Sequence, residues 1–315
     1  MLHRSGRRPL RRRFVLAAAV LATALTTAPE ARAQGVVQVQ EIAPGYLLHS
    51  TPSANLLLWA GPEQSMVAGV HHPALVASVT ETLRTRSLSP VRYALMMEAD
   101  SAPGYGDAGW ARTGAITLTH ESLYTRMNRR VRPRTGTGVP LPAGAALPVM
   151  GFSQVVQLYM PGEEVHVIHE RPGYTSADVI VHYENAGVLY LGNTLTTDGY
   201  PQVDSARGGN VAGIITTVDF FLNAFARNPA MLEPIVPGRG PITDMAGLRE
   251  YRDMLVAVRD RVQAQRAAGK TVEQVVAARP TADLDARWGR GPVSPAEFVA
   301  SVYHSLARAE RRTTP

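Results

Sequence analysis

The sequence contains no cysteine. This absence excludes disulfide bridges, thiolate zinc ligands, a cysteine nucleophile and a lipidated N-terminal cysteine. Stability must therefore come from the hydrophobic core. A chain of 315 residues, 45% of them hydrophobic, is long enough to form one large domain around such a core.

Histidine motifs that bind metal are also absent, although nine histidines are present. No His-x-His or His-Glu-x-x-His occurs. His71 and His72 are adjacent, and His166 and His169 are three apart on a predicted strand, so each pair should point to opposite faces. His120 is predicted to open a helix. We expect surface or core histidines rather than ligands, and we find no serine triad, phosphate-binding glycine loop or zinc-finger spacing.

Basic charge is concentrated at the N-terminus, where arginines precede the apolar stretch 14–25. Ala31-Arg32-Ala33, before Gln34, fits a signal-peptidase site. Residues 1–33 are therefore predicted to be an export signal peptide, and the mature protein is expected to be periplasmic or secreted. Arg11-Arg12-Arg13-Phe14 resembles a twin-arginine signal, and an ordinary secretory signal with extra arginines is the alternative.

Without this leader the chain is almost neutral, since seven arginines and one glutamate leave with it. Of 32 basic and 26 acidic residues, 25 of each kind remain. The neutral balance gives no support for nucleic acid binding. No other segment is long and apolar enough to be a predicted membrane span.

Short apolar runs separated by Gly, Pro and Ser predict strands through the first two thirds of the mature chain. Two helices are predicted among the first strands, at 74–85 and 121–130, and a Pro/Gly-rich loop at 131–148 ends this part. Four closely spaced runs then predict a second, largely antiparallel sheet, at 154–159, 164–169, 178–183 and 187–191.

The last third of the chain has helical periodicity. Asn210 is a predicted N-cap, Thr243 is a second cap candidate, and helices are predicted at 272–278 and 295–308. We therefore predict one α/β domain over residues 34–315, with C-terminal helices from about 243. Two sheets with helices outside them would form a four-layer αββα sandwich, and a three-layer doubly wound fold is the competing architecture from pattern alone.

Several segments resemble, in order and spacing, those of metallo-β-lactamase fold hydrolases, and this resemblance implies the four-layer sandwich. They are Pro90–Tyr93, Gly114-Ala115, Thr119–Glu121, Pro172–Thr175 with Asp178, Leu191–Asn193, Tyr200-Pro201 with Asp204, Gly208-Gly209 and Pro237–Pro241. The C-terminal segments are similar to a periplasmic branch of the superfamily: Tyr251–Leu255, Gly269–Thr271, Arg279–Ala282 and Trp288-Gly289.

The resemblance also implies that the zinc ligands of this superfamily have been replaced. The His-x-His-x-Asp-His loop corresponds to residues 98–103, which place Glu98 and Asp100 at two histidines, Ala102 at the aspartate and Pro103 at the third histidine. The next histidine corresponds to Tyr174, the bridging aspartate to Asn193 and the last histidine to Arg239. A permanent cation at the last position repels a metal ion.

Two functions follow from this resemblance. The first is a pseudoenzyme with no catalytic residue, no cofactor and no metal, which binds a small molecule or a periplasmic protein in the former cleft. Tyr105, Trp110 and Tyr200 are possible rim residues, with packing as their alternative role. The second is a hydrolase that uses Glu98 and Asp100 as acid and base, or binds a divalent cation weakly through Glu98, Asp100 and Asn193. Neutral drift in a structural protein is a third possibility.

Two expectations concern charge at this locus. We expect the purified protein to be essentially free of zinc, because the locus offers no imidazole. We also expect Arg239 to bridge Glu98 and Asp100 and so to replace the metal structurally.

Overall fold

In the part of the chain that the structure describes, the first sheet has seven strands, which follow one another in chain order. The computed structural model describes residues 36–69, 72–97, 109–138 and 146–313. Strands β1 to β4 pair antiparallel and β4 to β7 pair parallel. The strands are β1 (Gln38–Ala43), β2 (Tyr46–Ser50), β3 (Asn55–Ala60), β4 (Ser65–Gly69), β5 (Val91–Met96), β6 (Ile116–His120) and β7 (Met150–Phe152).

Helices occupy two crossovers between these parallel strands, as the sequence pattern predicts. They are α1 (Pro73–Thr85) and α2 (Glu121–Val131). Each begins after a histidine whose Nδ1 accepts a backbone N–H two residues further on: His72 caps α1, and His120 caps α2. The prediction that His120 opens a helix is therefore confirmed. Leu75 and Val79 of α1 lie in a buried cluster with side chains of β3, so the helix covers the outer face of the sheet.

Among the described residues, the second sheet has five strands, in the order β12-β11-β10-β9-β8. All neighbours pair antiparallel except β11 and β12, which are parallel. The strands are β8 (Val155–Met160), β9 (Glu163–Ile168), β10 (Ile180–Tyr183), β11 (Val188–Thr196) and β12 (Ile235–Arg239). The predicted second sheet, largely antiparallel, is present.

Among the described residues, five helices form the outer layer against the second sheet; the first lies between β11 and β12 in the chain, and the other four follow β12. They are α3 (Val211–Ala224), α4 (Met245–Ala267), α5 (Val272–Ala277), α6 (Asp285–Trp288) and α7 (Pro295–Thr313). Asn210 caps α3 as predicted, with its Oδ1 accepting from Ala212 N at 2.9 Å. The cap of α4 is Asp244 rather than the predicted Thr243, because Thr243 pairs by its backbone with Ile235 of β12. Among the helices described, none combines the length and apolarity needed to cross a membrane.

Side chains from the inner faces of both sheets interdigitate in one buried cluster. Leu57 and Trp59 of β3 lie there with Val165 and Val167 of β9 and Tyr190 of β11. A separate buried cluster joins the outer face of the second sheet to α3, α4 and α7. Each sheet is thus buried on both faces, which gives the four-layer αββα sandwich. This outcome confirms the predicted fold class and rules out the three-layer alternative.

Strand β11 is longer than the pattern predicts, since it runs to Thr196 instead of ending at Leu191. Gly192 interrupts the run of apolar residues in the sequence, and its backbone has φ +52°, a conformation that favours glycine. The strand nevertheless continues past it to Thr196. The neighbouring strand also approaches closely there, because a Cβ on Gly238 would lie 2.6 Å from the carbonyl carbon of Gly192. The extra residues bring Asn193 and Thr196 beside the end of β12.

Candidate functional site

A cavity of about 200 Å³ lies at the carboxyl ends of β11 and β12. The structure brings three of the sequence-predicted site residues together around it, namely Tyr174, Asn193 and Arg239. Parallel strands end at the same edge of a sheet, which explains why Asn193 and Arg239 meet despite their separation in sequence. The lining residues are Ser53, Tyr174, Asn193, Leu195, Thr196, Pro201, Gln202 and Arg239.

The loop that carries Tyr174 is fixed by a buried carboxylate. Asp178 is 3% exposed, and its Oδ2 accepts hydrogen bonds from Gly173 N at 2.8 Å and Thr175 N at 3.2 Å. The carbonyl of Tyr174 accepts from Asp204 N at 2.8 Å. A carboxylate bonded to several backbone N–H groups holds a loop in one conformation. Asp178 therefore serves to position Tyr174.

Arg207 contacts Tyr174 from the outer side. Its Nη2 donates to the phenol oxygen at 3.3 Å, and the guanidinium lies 5.7 Å from the ring centroid. Its Nε also pairs with Asp204 Oδ2 at 2.6 Å. Burial raises the pKa of Asp204, but hydrogen bonds from the Arg207 backbone and side chain outweigh it, so this pKa lies below its usual value. Asp204 therefore stays ionised at neutral pH.

Arg239 forms an ion pair with Asp198 at the mouth of the cavity. Its Nε lies 2.9 and 3.0 Å from the two carboxylate oxygens of Asp198, and its Nη2 donates to Thr196 Oγ1 at 3.1 Å. Thr196 Oγ1 in turn donates to Asp198 Oδ1 at 2.6 Å. The Arg239 and Asp198 side chains are only 17% and 28% exposed. The positive charge at this locus is thus balanced by an aspartate that the sequence analysis did not single out.

Asn55 of β3 holds the segment that follows β12. Its Nδ2 donates to the carbonyls of Pro237 and Gly240, both at 2.9 Å, and the residue is 1% exposed. Gly240 has φ +92°, and a Cβ there would lie 2.5 Å from Thr197 Oγ1, so this turn requires glycine. The orientation of Arg239 therefore depends on the first sheet as well as on its own strand.

Five predicted site residues lie outside the described part of the chain. They are Glu98, Asp100, Ala102, Pro103 and Tyr105. The predicted bridge from Arg239 to Glu98 and Asp100 therefore stays a prediction. The partner that the structure does show is Asp198, two residues after the end of β11, and a correct prediction of where that strand ends would have pointed to it.

The structure places the two other aromatic candidates in the core rather than on the cavity rim. Trp110 is 2% exposed and packs in the cluster that contains Leu75 and Val79. Tyr200 is fully buried, with its ring stacked on Phe298 at a centroid distance of 4.7 Å and its hydroxyl donating to Asp285 at 3.0 Å. The packing alternative is the one realised for both.

A group of metal-ligating residues that the sequence analysis missed lies elsewhere in the second sheet. His166, His182 and Glu184 each offer a ligand atom, and these atoms lie within 4.8 Å of one another. Within the described ranges this is the one group of three or more such residues. The expectation that no histidines share a face considered spacing along the chain, whereas His166 and His182 are opposite each other on antiparallel strands. The sequence feature that could have identified this group is a pair of histidines at positions that face each other on two adjacent predicted strands.

The donor set of the 200 Å³ cavity does not fit zinc. Among the described lining residues no imidazole and no carboxylate is present, whereas a zinc ion needs about four ligands of such types. The guanidinium of Arg239 adds a positive charge at the same place. Hydroxyl and amide groups from Tyr174, Asn193 and Gln202 suit hydrogen bonding to a polar organic ligand instead.

Comparison with solved structures identifies the fold. No protein-family profile and no curated protein matches the sequence. A metallo-β-lactamase from Pontibacter korlensis superposes with a TM-score of 0.57 at 14% identity, over 70% of this chain and 99% of that one. The mono-zinc form of the metallo-β-lactamase FIM-1 from Pseudomonas aeruginosa gives 0.54 at 16% identity, over 70% and 95%. The inverting sec-alkylsulfatase Pisa1 from Pseudomonas sp. gives 0.65 at 12% identity, over 85% of this chain and 50% of the longer enzyme.

These similarities show that the chain has the metallo-β-lactamase fold. At 12 to 16% identity they establish architecture and not chemistry. The function of the side chains at the ends of β11 and β12 must therefore be inferred from their own geometry and chemistry.

Proposed function

We propose that this protein is a non-catalytic member of the metallo-β-lactamase superfamily that binds a small polar molecule in the former active-site cleft. The single observation that carries the proposal is that Arg239, which lines the cavity together with Tyr174 and Asn193, is paired with Asp198. A guanidinium does not lower the pKa of a bound water as zinc does, so the ancestral hydroxide-generating step has no agent among these residues.

The charge balance of the cavity indicates which class of ligand it can bind. Because Asp198 already neutralises Arg239, the cavity has little net charge to attract a strongly anionic molecule. Amide groups of Asn193 and Gln202 can donate and accept hydrogen bonds at once. A neutral polar ligand with both kinds of hydrogen-bonding group therefore suits the site.

A neighbouring groove gives room for a ligand larger than the 200 Å³ cavity. This groove, of about 540 Å³, shares Gln202 and Arg239 with the cavity and includes Glu297 and His304 of α7. A ligand anchored in the cavity would extend along α7. The C-terminal helices would then contribute directly to binding.

We also propose that the protein acts outside the cytoplasm, because residues 1–33 have the basic, apolar and small-residue blocks of a signal peptide in order. Intact-mass analysis of the protein recovered from the periplasm is expected to show a chain that begins near Gln34. A mature species that keeps the leader arginines would contradict this part of the proposal. Replacing Arg11 and Arg12 with lysine tests the twin-arginine route separately.

Hydrolysis and binding assays test the main proposal together. We expect no turnover above buffer of a chromogenic cephalosporin, a nitrophenyl ester or a thioester, with or without added Zn²⁺. A ligand-observed NMR screen of neutral polar fragments is expected to find binders that Asn193→Ala weakens. Gln263→Ala is the matched control, because it removes an exposed amide on α4 that does not line the cavity.

Turnover that requires Zn²⁺ and disappears in Asn193→Ala would overturn the proposal. Turnover without metal that disappears in Glu98→Gln or Asp100→Asn would instead establish the carboxylate-based hydrolase. Fragment binding that both Asn193→Ala and Gln263→Ala leave unchanged would place the ligand elsewhere.

A further inference from the structure

Two histidines face each other on the helix-covered side of the second sheet. His166 of β9 pairs in register with His182 of β10, and Gln157 of β8 is in register with His166 on the other side. Neighbouring Val165 and Tyr183 point into the core between the sheets, so by strand alternation the two histidines point outward. Directly opposite positions on antiparallel strands bring their side chains within reach of one another.

Both imidazoles converge on one carboxylate oxygen. The Nδ1 of His182 lies 3.1 Å from Glu184 Oε2, and the Nδ1 of His166 lies 3.9 Å from the same atom. Ligand atoms around a tetrahedral zinc ion, at bond lengths of about 2.0–2.2 Å, stand roughly 3.3–3.5 Å apart. The observed spacing therefore requires only rotamer-scale adjustment to enclose a metal ion.

A second glutamate orients His166 through its other ring nitrogen. Glu164 Oε1 lies 2.8 Å from His166 Nε2, while the amide nitrogen of Gln157 lies at 3.4 Å. The shorter contact is a charge-assisted hydrogen bond from Nε2–H to Glu164, and it turns the opposite edge of the ring, with Nδ1, toward Glu184. A carboxylate bonded to the distal N–H of a histidine is the usual outer partner of a metal-bound imidazole.

The ring of His182 is almost completely buried, at 5% exposed, and its Nδ1 faces Glu184. The ring of Phe225 lies edge-on at 5.5 Å, and the Nε2 of His182 is buried without a hydrogen-bond partner. The 3.1 Å contact with Glu184 is a hydrogen bond from Nδ1–H, so a metal ion that binds at Nδ1 displaces this proton.

We propose that His166, His182 and Glu184 form a binding site for a divalent first-row metal ion, with Zn²⁺ as the best-suited probe. The ligands are the two Nδ1 atoms, the Glu184 carboxylate and a water molecule in the fourth position, since Glu184 is 46% exposed. Glu164 is a positioning residue that acts through His166.

This site is separate from the cavity at Asn193. His182 is in register with Leu189 of β11, and Asn193 lies four residues further along that strand, or about 13 Å at roughly 3.3 Å per residue. The expectation that the protein purifies free of zinc was based on the cavity alone. Zinc bound at the histidine cluster would be consistent with a cavity that binds none.

Calorimetric titration of the metal-free full-length protein with ZnCl₂ tests the proposal, with Co²⁺ absorption as a direct readout of nitrogen ligation. We expect one Zn²⁺ per chain at neutral pH, and a rise in Tm on saturation because only the folded state presents the site. His166→Gln and Glu184→Gln, both at solvent-accessible positions, are expected to weaken binding more than about 100-fold, and Glu164→Gln about 10-fold.

His304→Gln is the matched control, because it removes an exposed histidine on α7 without touching the cluster. It is expected to bind Zn²⁺ like the unmodified protein. The proposal is overturned by absence of Zn²⁺ binding, by unchanged affinity in both His166→Gln and Glu184→Gln, or by equal loss in His304→Gln. Because Asn193→Ala is expected to leave this titration unchanged, failure here is distinguishable from failure of the cavity proposal.

Discussion

The cavity at Asn193 and the histidine cluster at His182 lie on the same sheet and have opposite chemistry. The cavity has a fixed cation, Arg239, whose charge Asp198 balances, and its described lining includes no imidazole. The cluster has two imidazoles and a half-exposed carboxylate with no permanent cation among them. Among the described residues, the side chains that could hold a metal ion thus lie away from the cavity to which the superfamily resemblance pointed.

The difference shows that a fold does not by itself fix the chemistry of its sites. The loop geometry around the cavity is maintained by Asp178 and Asn55, which bond to backbone groups and need no metal. Once such bonds fix the loops, ligand side chains can change without loss of the fold. The predictions below test how independent the two regions are.

The largest expected effect is that of removing Asp178, which would break the scaffold of the cavity. Asp178→Ala leaves the backbone N–H groups of Gly173 and Thr175 buried and unsatisfied, and should lower the free energy of unfolding by about 3–4 kcal/mol. Urea denaturation measures the change. Asp260→Ala, at a carboxylate that is 61% exposed, should change stability by about 0.5 kcal/mol or less. Similar losses of stability in both variants would show that Asp178 does not hold this loop in place.

His120 is a buried histidine outside the cluster, and its protonation should make the stability of the protein depend on pH. Burial is the main cause that lowers the pKa of His120 to about 4, and the stacked ring of His169, 3.9 Å away, adds to the lowering. The unfolded chain takes up this proton below about pH 6.5, whereas the folded protein resists it until about pH 4. Stability should therefore be complete above pH 6.5 and fall as the pH drops toward 4.

His120→Asn isolates that contribution, because asparagine can still cap α2 at Ser122 N. The variant should recover about 2–3 kcal/mol of the stability lost between pH 6.5 and 4, as measured by denaturant titration at several pH values. His304→Gln, at an exposed position, should leave the pH profile as it is. An unchanged profile in His120→Asn would show that other groups control acid unfolding.

The ion pair at the cavity mouth should have an intermediate effect. Arg239→Ala removes hydrogen bonds to Asp198 and Thr196 and should cost about 2 kcal/mol, since both charged side chains are mostly buried. Adding Asp198→Asn should recover about half of this loss, because no unpaired charge then remains. A denaturation cycle over the two single variants and the double variant measures the coupling.

The same cycle can be run with Glu98→Gln and Asp100→Asn in place of Asp198→Asn. Additivity with Arg239→Ala is expected if Asp198 is the main partner of the guanidinium. Strong coupling of Arg239 to Glu98 and Asp100, together with additivity for Asp198, would instead support the bridge that the sequence analysis predicted.

The smallest expected effect is that of cavity variants on Zn²⁺ binding, and it tests directly whether the cavity and the histidine cluster are independent. Asn193→Ala and Tyr174→Phe alter the cavity and should leave the stoichiometry and affinity of Zn²⁺ binding within error of the unmodified protein, as measured by calorimetry. His166→Gln is the counterpart at the cluster. A loss of zinc binding in either cavity variant would mean that the cavity also participates in metal binding.

Local features of the sequence were sufficient to predict most of the helices and the presence of two sheets. The apolar stripe after Asn210 predicts α3 with its cap, and the pattern of short strands predicts two sheets. These features depend on residues within one or two turns of each other, where side-chain period and capping chemistry decide the structure. The resemblance in motif order then chose the four-layer sandwich over its alternative, and it named Tyr174, Asn193 and Arg239, which the structure brings to one cavity.

Pairing across strands was decided only by the tertiary structure. The partnership of Arg239 with Asp198 requires β11 to continue past Gly192 and to lie parallel to β12, and the convergence of His166 and His182 requires the register of β9 with β10. Register is set by which faces become buried and by the turns that join the strands, and a shift of one residue reverses every side chain. For this reason the sequence alone predicted most of the elements of this protein, while the contacts that define both of its candidate sites came from the assembled sheet.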